Sequence, residues 1–148
     1  MIEIKKNVIV PFTAEKMYNL VSDIENYSKY LPWCKKSEVR STNGNVIEGA
    51  VFIEYLKVKT HFVTRNTNTP YSKIDMELIE GPFHNLDGSW IFTPLGEKGC
   101  KIEFLLKYKF SNIILEKIIG PVFNYISKNI VDSFIKEARE SSIREIQR

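Results

Sequence analysis

The chain has 148 residues, of which 43% are hydrophobic and 26% charged, and its formal net charge is +3. A chain of this length and composition is expected to build one globular domain over residues 1–148, which excludes a disordered or low-complexity protein. The small positive charge does not indicate a nucleic-acid-binding protein, and no DNA partner is expected.

Cysteine content and hydropathy together indicate where in the cell the protein is located. Cys34 and Cys100 are the only cysteines, fewer than a small secreted disulfide scaffold usually carries. No charged-then-apolar leader opens the sequence, and no apolar run approaches the ~20 residues that span a bilayer. We therefore expect a cytoplasmic protein that is at most peripheral to the inner membrane, with an organelle matrix after import as the alternative location.

The first part of the chain predicts one strand followed by two short helices. Apolar and polar residues alternate over residues 2–10, which is typical of a strand with one buried face. Thr13 is a favourable N-cap for a short helix that runs to about Val21. Ser22 and Glu25 have the spacing of a capping box, so a second short helix is expected to start there.

The middle of the chain, from Lys36 to Phe110, alternates in the pattern of six further strands. Turn sequences separate them, for example Asn43-Gly44-Asn45 and Thr69-Pro70-Tyr71. Gly88 interrupts one alternating run and predicts either a bulge or a close contact. Because the connections are short, neighbouring strands are expected to pair antiparallel.

A helix is predicted from Ile113 to Arg139, capped by Ser111 or Asn112, with apolar residues recurring every three or four positions. Pro121 should divide this region, so that the long regular helix starts at or just after it. One helix cannot cover both faces of a seven-stranded sheet. The sheet is therefore expected to curl around the helix, in an α+β fold with an apolar cavity between the two.

Six segments resemble one known family in order and spacing. They are Val10-Pro11-Phe12-Thr13-Ala14-Glu15, Tyr30-Leu31-Pro32-Trp33-Cys34, Thr64-Arg65-Asn66, Glu80-Gly81-Pro82-Phe83-His84-Asn85-Leu86-Asp87-Gly88-Ser89-Trp90, Phe92-Thr93-Pro94-Leu95-Gly96 and Gly120-Pro121-Val122-Phe123. Together they resemble the coenzyme-Q-binding START-like family, whose bacterial members are labelled ribosome-association toxins or grouped with polyketide cyclases and dehydrases. Phe52 and Tyr55 are bulkier than the residues that this family usually carries in that stretch.

The resemblance implies a fold and two alternative functions. The fold is the helix grip, a curved seven-stranded antiparallel sheet around a long C-terminal helix with two short helices after strand 1. One branch of the family implies non-enzymatic binding of ubiquinone in support of respiration. Another implies binding to the large ribosomal subunit, which blocks subunit association. An enzyme of the aromatic cyclase type is a third alternative.

The catalytic and metal-binding patterns expected of an enzyme are absent from the sequence. His61 and His84 are the only histidines, and neither has metal-ligand spacing to another His or Cys or to paired carboxylates. No nucleophile elbow or phosphate-binding glycine loop occurs. We therefore predict no catalytic residue, no metal ligand and no required cofactor. The family resemblance implies ubiquinone or another isoprenoid lipid as the bound ligand.

Apolar residues of the inward parity are the candidates for lining a ligand cavity, although each could equally be ordinary core. They are Trp33, Phe62, Met76, Phe83, Trp90, Phe92, Phe104, Leu106, Phe123, Ile126, Ile130 and Phe134. A quinone ring also needs one or two donors for its carbonyl oxygens. The candidate polar anchors are Tyr55, Thr60, Arg65 and Tyr108, between which the sequence does not choose.

A basic surface is the second candidate site. Four basic residues share a parity on one predicted strand and two more share a parity on the last strand: Lys57, Lys59, His61 and Arg65, and then Lys107 and Lys109. If the two outer faces adjoin, they form a positive stripe suited to ribosomal RNA or to anionic lipid headgroups. The alternative is an ordinary solvated face.

Overall fold

Seven strands and two α-helices make up residues 1–147, the part of the chain that the computed structural model describes. The chain opens with β1 (Ile2–Val10), α1 (Ala14–Ser22) and a 3-10 helix (Ile24–Lys29), and closes with α2 (Ile113–Ile146). Between them lie β2 (Cys34–Asn43), β3 (Val46–Tyr55), β4 (Val58–Thr69), β5 (Lys73–Glu80), β6 (Phe83–Leu95) and β7 (Gly99–Phe110).

All strands belong to one antiparallel sheet in the order β1-β7-β6-β5-β4-β3-β2. Alternation in the sequence decides which face is buried. In β7, every second residue from Cys100 to Phe110 is buried, and the residues between them are partly or fully exposed. The buried parity of the sheet faces α2, which lies across it. The predicted α+β helix-grip architecture is therefore confirmed.

Gly88 marks a close contact rather than a bulge. A Cβ atom added there would lie 2.8 Å from the backbone oxygen of Leu105 on β7 and 3.0 Å from the Cε of Met76 on β5. The register runs regularly through Gly88 on both sides, and the irregularity of the β6–β7 pair lies between Phe83 and Asn85. Glycine thus lets the three strands approach closely at this position.

The N-terminal helices follow the sequence in part. The Thr13 side chain accepts a hydrogen bond from the Lys16 backbone N–H at 3.1 Å, as expected of an N-cap. The predicted capping box at Ser22 and Glu25 is wrong. Ser22 is the last residue of α1 and donates its hydroxyl to the Asn19 carbonyl at 3.3 Å. The second helix is a 3-10 helix, and no side chain within residues 1–147 caps its start.

α2 runs without interruption from Ile113 to Ile146, 34 residues or roughly 50 Å, and contains Pro121. The prediction that the long helix starts at or after this proline is wrong. The missing proline N–H removes one helical hydrogen bond. Asn112 offsets this loss by capping the helix, since its side chain accepts from the Leu115 N–H at 2.9 Å. The buried residues Ile119 and Phe123 hold the first turns against the sheet.

The core lies between α2 and the inner face of the sheet. Trp90 on β6 is its centre, with the Phe104 ring 4.4 Å away and the Phe134 ring of α2 edge-on at 5.5 Å. Within residues 1–147, neither helix has the length and apolar character needed to cross a membrane.

Candidate functional site

A cavity of about 90 Å³ lies between α2 and the inner face of the sheet. Its walls come from β3 to β7, the 3-10 helix and the middle of α2. Ten of the twelve residues predicted to line it do so: Trp33, Phe62, Met76, Trp90, Phe104, Leu106, Phe123, Ile126, Ile130 and Phe134. The inward parity of the strands and the apolar face of the helix therefore locate most of the apolar wall.

The other two predicted residues, Phe83 and Phe92, lie behind the wall. Phe83 is surrounded by other rings, with those of Phe123 at 4.8 Å and Phe110 at 5.1 Å. Phe92 packs between Tyr18 of α1 and Trp90 and is 1% exposed. The prediction that they line the cavity is wrong, because neighbouring rings fill the space between them and the cavity.

The 3-10 helix closes one side of the cavity through Ile24 and Tyr27. It approaches β3 so closely that a Cβ added at Gly49 would lie 2.7 Å from the Cδ1 of Ile24. The Tyr27 hydroxyl donates to the Val21 carbonyl, and its ring packs edge-on against Phe134 at 5.5 Å. Burial, with a smaller contribution from Tyr30, raises the pKa of Tyr27 above its ordinary value, so the phenol stays protonated.

Thr64 and Asn66 of β4 supply a polar edge that the sequence analysis missed. Both are buried, and the Thr64 hydroxyl donates to the Asn66 Oδ1 at 2.8 Å. Within residues 1–147 the Asn66 amide nitrogen has no hydrogen-bond acceptor. A signal was present, since both residues share the inward parity of Phe62 on the same strand.

Some of the remaining polar groups of the wall already use their hydrogen-bond donors within the protein. The Ser127 hydroxyl is occupied, because it donates to the Phe123 carbonyl at 2.8 Å. The indole N–H groups of Trp33 and Trp90 donate to no acceptor in the described part of the chain. The Asn66 amide on the polar edge is therefore the proposed donor for a carbonyl oxygen inside an otherwise apolar space.

None of the four predicted polar anchors lines the cavity. Tyr55 lies outside and stacks on Tyr125 of α2, with the ring centroids 6.0 Å apart. Thr60 lines a separate hollow of about 300 Å³, together with Lys59 and His61. The Tyr108 hydroxyl donates to Asn124, which occupies its proton. The anchor role predicted for Tyr55, Thr60 and Tyr108 is not supported by these positions.

Arg65, the fourth predicted anchor, lies on the outer face of β4. Its guanidinium is 3.2 Å from the Glu48 carboxylate and 3.1 Å from that of Glu77. On the same face, His61 Nε2 is 2.7 Å from the Glu80 carboxylate. Three carboxylates thus oppose the positive charge expected on this strand.

The two predicted basic groups do not form one stripe. Lys107 and Lys109 lie on β7, which β5 and β6 separate from β4 by about 14 Å at ~4.8 Å per strand. Lys107 also lies opposite Glu3 on β1 and Asp87 on β6. The outer faces therefore do not adjoin, which corrects the expectation of a continuous positive surface. Lys57 and Lys59 remain exposed and form no ion pair within residues 1–147.

Residues 1–147 contain no cluster of three or more His, Cys, Asp or Glu side chains that could hold a metal ion. Both cysteines are buried free thiols. Burial raises the pKa of Cys34 and of Cys100, which keeps both thiols protonated.

The chain matches one protein-family model and is similar in sequence to several known proteins. The family model described as "Polyketide cyclase / dehydrase and lipid transport" matches residues 10–135. The chain is 37% identical over 140 residues to the ribosome association toxin RatA of Escherichia coli K12, covering 95% of this chain and 89% of that protein. It is 26% identical to the mitochondrial coenzyme Q-binding protein COQ10 homolog B of Xenopus laevis, covering 93% of this chain and 58% of that protein.

Solved structures share the fold. A START superfamily protein from Mycobacterium smegmatis superposes with a TM-score of 0.70 at 18% identity, covering 97% of this chain and 98% of that one. The Zhui aromatase/cyclase from a Streptomyces species superposes with a TM-score of 0.77 at 13% identity, covering 93% of both chains. The element order, the curved sheet and the long C-terminal helix are thus common to all three.

Proposed function

The chain belongs to the polyketide cyclase, dehydrase and lipid transport family, and from this membership we propose that it binds a polyprenyl quinone such as ubiquinone, or a similar lipid, in support of respiration. The ligand would occupy the cavity between α2 and the sheet. The observation that carries the proposal is the unpaired Asn66 amide in an apolar wall. Within residues 1–147 the Asn66 amide nitrogen is not among the buried polar atoms left without a partner, so it reaches open space, where a quinone carbonyl oxygen could accept its hydrogen bond.

The chemistry of the wall favours binding over catalysis. Within residues 1–147 the side chains that line the cavity include no His, Asp, Glu, Lys or Arg. The Tyr27 phenol and the Ser127 hydroxyl donate to backbone carbonyls, and burial keeps the phenol protonated. A cyclase would need a group that exchanges protons near neutral pH. We therefore propose a carrier rather than an enzyme, with no cofactor beyond the bound lipid.

The size of the cavity sets how the ligand would bind. At about 90 Å³ it is smaller than the ~150 Å³ cavity that admits benzene in an engineered protein. A quinone ring therefore requires some side chains to move. Met76 is the adaptable member of the wall, and Ile130 is only half-buried. A long isoprenoid tail would extend out of the cavity.

Tryptophan fluorescence tests this proposal directly, because Trp33 and Trp90 both line the cavity. Titration with a short-chain ubiquinone should quench the emission saturably, and a hydrocarbon of the same length without a quinone ring should compete weakly. Lipid extraction and mass spectrometry of the purified protein should identify a quinone. Absence of both saturable quenching and a co-purifying lipid would overturn the proposal.

Ribosome association is a second candidate function, favoured by the 37% identity to a named ribosome association toxin over 95% of this chain. We propose Lys57 and Lys59 as the contacts, since exposed lysines without ion pairs are free to meet phosphates. Co-sedimentation with large ribosomal subunits should weaken in a Lys57→Glu/Lys59→Glu variant and at high salt. The matched control is Lys107→Glu/Lys109→Glu, which changes the separate pair on β7. Equal losses in both variants would contradict a localised contact.

A further inference from the structure

The first turns of α2 carry apolar side chains on the side that faces away from the sheet. Ile114, Ile118, Pro121 and Tyr125 are spaced by four, three and four residues, which places them on one line along the helix. Ile114 is 65% exposed, Ile118 59% and Tyr125 52%. The opposite side of the same turns is buried against the core. This segment is therefore apolar on both sides.

The β3–β4 turn extends this exposed apolar stripe. Tyr55 at the end of β3 stacks on Tyr125 with an interplanar angle of 8°. The next residue, Leu56, is 74% exposed and has a φ of 48°, in the left-handed region that is unfavourable for leucine. Leu56 therefore does not contribute to stability through burial. We call Leu56, Ile114, Ile118, Pro121 and Tyr125 the apolar surface.

Positive charge borders the apolar surface. Lys57 follows Leu56 in the turn, and Lys117 and Lys128 lie within about 60° of the stripe at ~100° per residue. All three are exposed and form no ion pair within residues 1–147. Of the neighbouring acids, Glu116 points to the other side of the helix and Glu54 lies beside the turn. Asp132, one turn beyond Lys128, is neutralised by Lys6, whose Nζ lies 2.8 Å from its carboxylate.

We propose that the apolar surface docks the protein onto an anionic lipid bilayer. Isoleucine, leucine and tyrosine side chains would enter the headgroup region, and the three lysines would contact lipid phosphates. The combination of exposed aliphatic side chains with a border of unpaired lysines matches such an interface. Docking is separate from filling the cavity, so it holds whether or not the cavity carries a quinone.

A second copy of the chain and a nucleic acid both fit this surface less well than a bilayer does. A second copy that docks through the same surface would bring together two patches that each carry three unpaired lysines, and like charges repel. A nucleic acid would attract the lysines but would bury Ile114 and Ile118 against phosphates and sugars, where they gain little. A bilayer supplies both an apolar phase and negative charge.

Flotation of the full chain with vesicles tests the proposal. Vesicles of phosphatidylcholine alone are compared with vesicles that also contain phosphatidylglycerol, and the wild type should bind the anionic ones more tightly. Ile114→Asp/Ile118→Asp should lower vesicle binding at least about tenfold, because it removes inserted apolar area and adds negative charge. Ile9→Asp is the matched control, since Ile9 is 69% exposed on β1, away from the apolar surface. It should change binding less than about twofold.

Three results would overturn the docking proposal. The first is a wild-type chain that binds neither kind of vesicle, and the second is equal binding by Ile114→Asp/Ile118→Asp and the wild type. The third is that Ile114→Asp/Ile118→Asp still binds vesicles but no longer self-associates or no longer binds ribosomal subunits. Titration of the same variants with a short-chain quinone, followed by tryptophan fluorescence, tests binding in the cavity independently of docking. A chain that docks but binds no quinone would overturn only the proposed function.

Discussion

The two faces of β4 carry polar side chains that differ in what they leave available. On the outer face, Arg65 already pairs with Glu48 and Glu77, so its charge adds little to a binding surface. On the inner face, Thr64 and Asn66 are largely shielded from solvent. The Asn66 amide nitrogen donates no hydrogen bond within residues 1–147. A neutral amide without a partner is therefore a stronger candidate contact than a paired charge.

The largest expected difference between the faces is in stability. Phe104 on the inner face of β7 is 3% exposed and packs against Trp90, and Phe104→Ala should lower the free energy of unfolding by about 3–5 kcal/mol. Phe52 on the outer face of β3 stacks on His61 and is only half-buried, so Phe52→Ala should cost about 1 kcal/mol. Urea denaturation of both variants measures the difference. Equal losses would contradict the distinction.

Tyr27 makes the inner side sensitive to alkaline pH. Burial raises its pKa above the usual 10.0, so the folded protein keeps a proton that the unfolded chain loses. This contribution to stability is complete below pH 10 and declines above it, by up to about 1.4 kcal/mol per pH unit. Denaturation of wild type and Tyr27→Phe between neutral and alkaline pH should show a smaller decline in the variant. Identical slopes would mean that the phenol titrates normally.

Substitutions at two adjacent residues of β4 should have different effects on quinone affinity. Asn66→Ala removes the proposed donor and should weaken short-chain quinone binding about tenfold, the equivalent of one hydrogen bond of about 1.4 kcal/mol. Arg65→Ala, one position away on the outer face, should leave quinone affinity unchanged. Fluorescence titration measures both. If Arg65→Ala caused the larger loss, the assignment of the two faces would be reversed.

The smallest expected effect belongs to the outer ion pairs. Glu77→Gln leaves Arg65 paired with Glu48, and the midpoint of thermal unfolding should change little because both Glu77 and Arg65 are exposed. High salt should reduce the difference further. Thermal denaturation at two salt concentrations provides the measurement. A fall in the midpoint as large as that of a core substitution would show that the outer ion pairs stabilise the sheet more than exposed pairs normally do.

Alternation explains why the sequence predicted the sheet and most of the cavity wall. In β7 the apolar parity runs unbroken from Cys100 to Phe110, which fixes both the strand and its buried face. The polar edge was missed because Thr64 and Asn66 look like surface residues unless their parity is given more weight than their polarity. The register shift of the β4–β5 pair at Val63 and Thr64 places the extra residue, Ile79, on β5, so the alternation of β4 itself is unbroken.

Single-residue rules failed where several contacts compete with them. Pro121 removes one hydrogen bond, yet the cap at Asn112 and the burial of Phe123 keep the helix continuous. Ser22 has an ideal spacing to Glu25, but its hydroxyl bonds back into α1. Strand order, which separates Lys107 from β4, depends on pairings between distant segments that no local pattern contains.

The pairing of β1 with β7 governs when the cavity can exist during synthesis. Ile2 lies opposite Tyr108, so the first strand has no partner on that side until more than a hundred further residues have been made. Contacts this distant in sequence close slowly, and an unpaired strand edge is prone to aggregation in the meantime. α2 follows β7 directly. A nascent chain therefore acquires the cavity between α2 and the sheet only after β7 and α2 have been made, and the proposed lipid ligand could enter the cavity only from that point on.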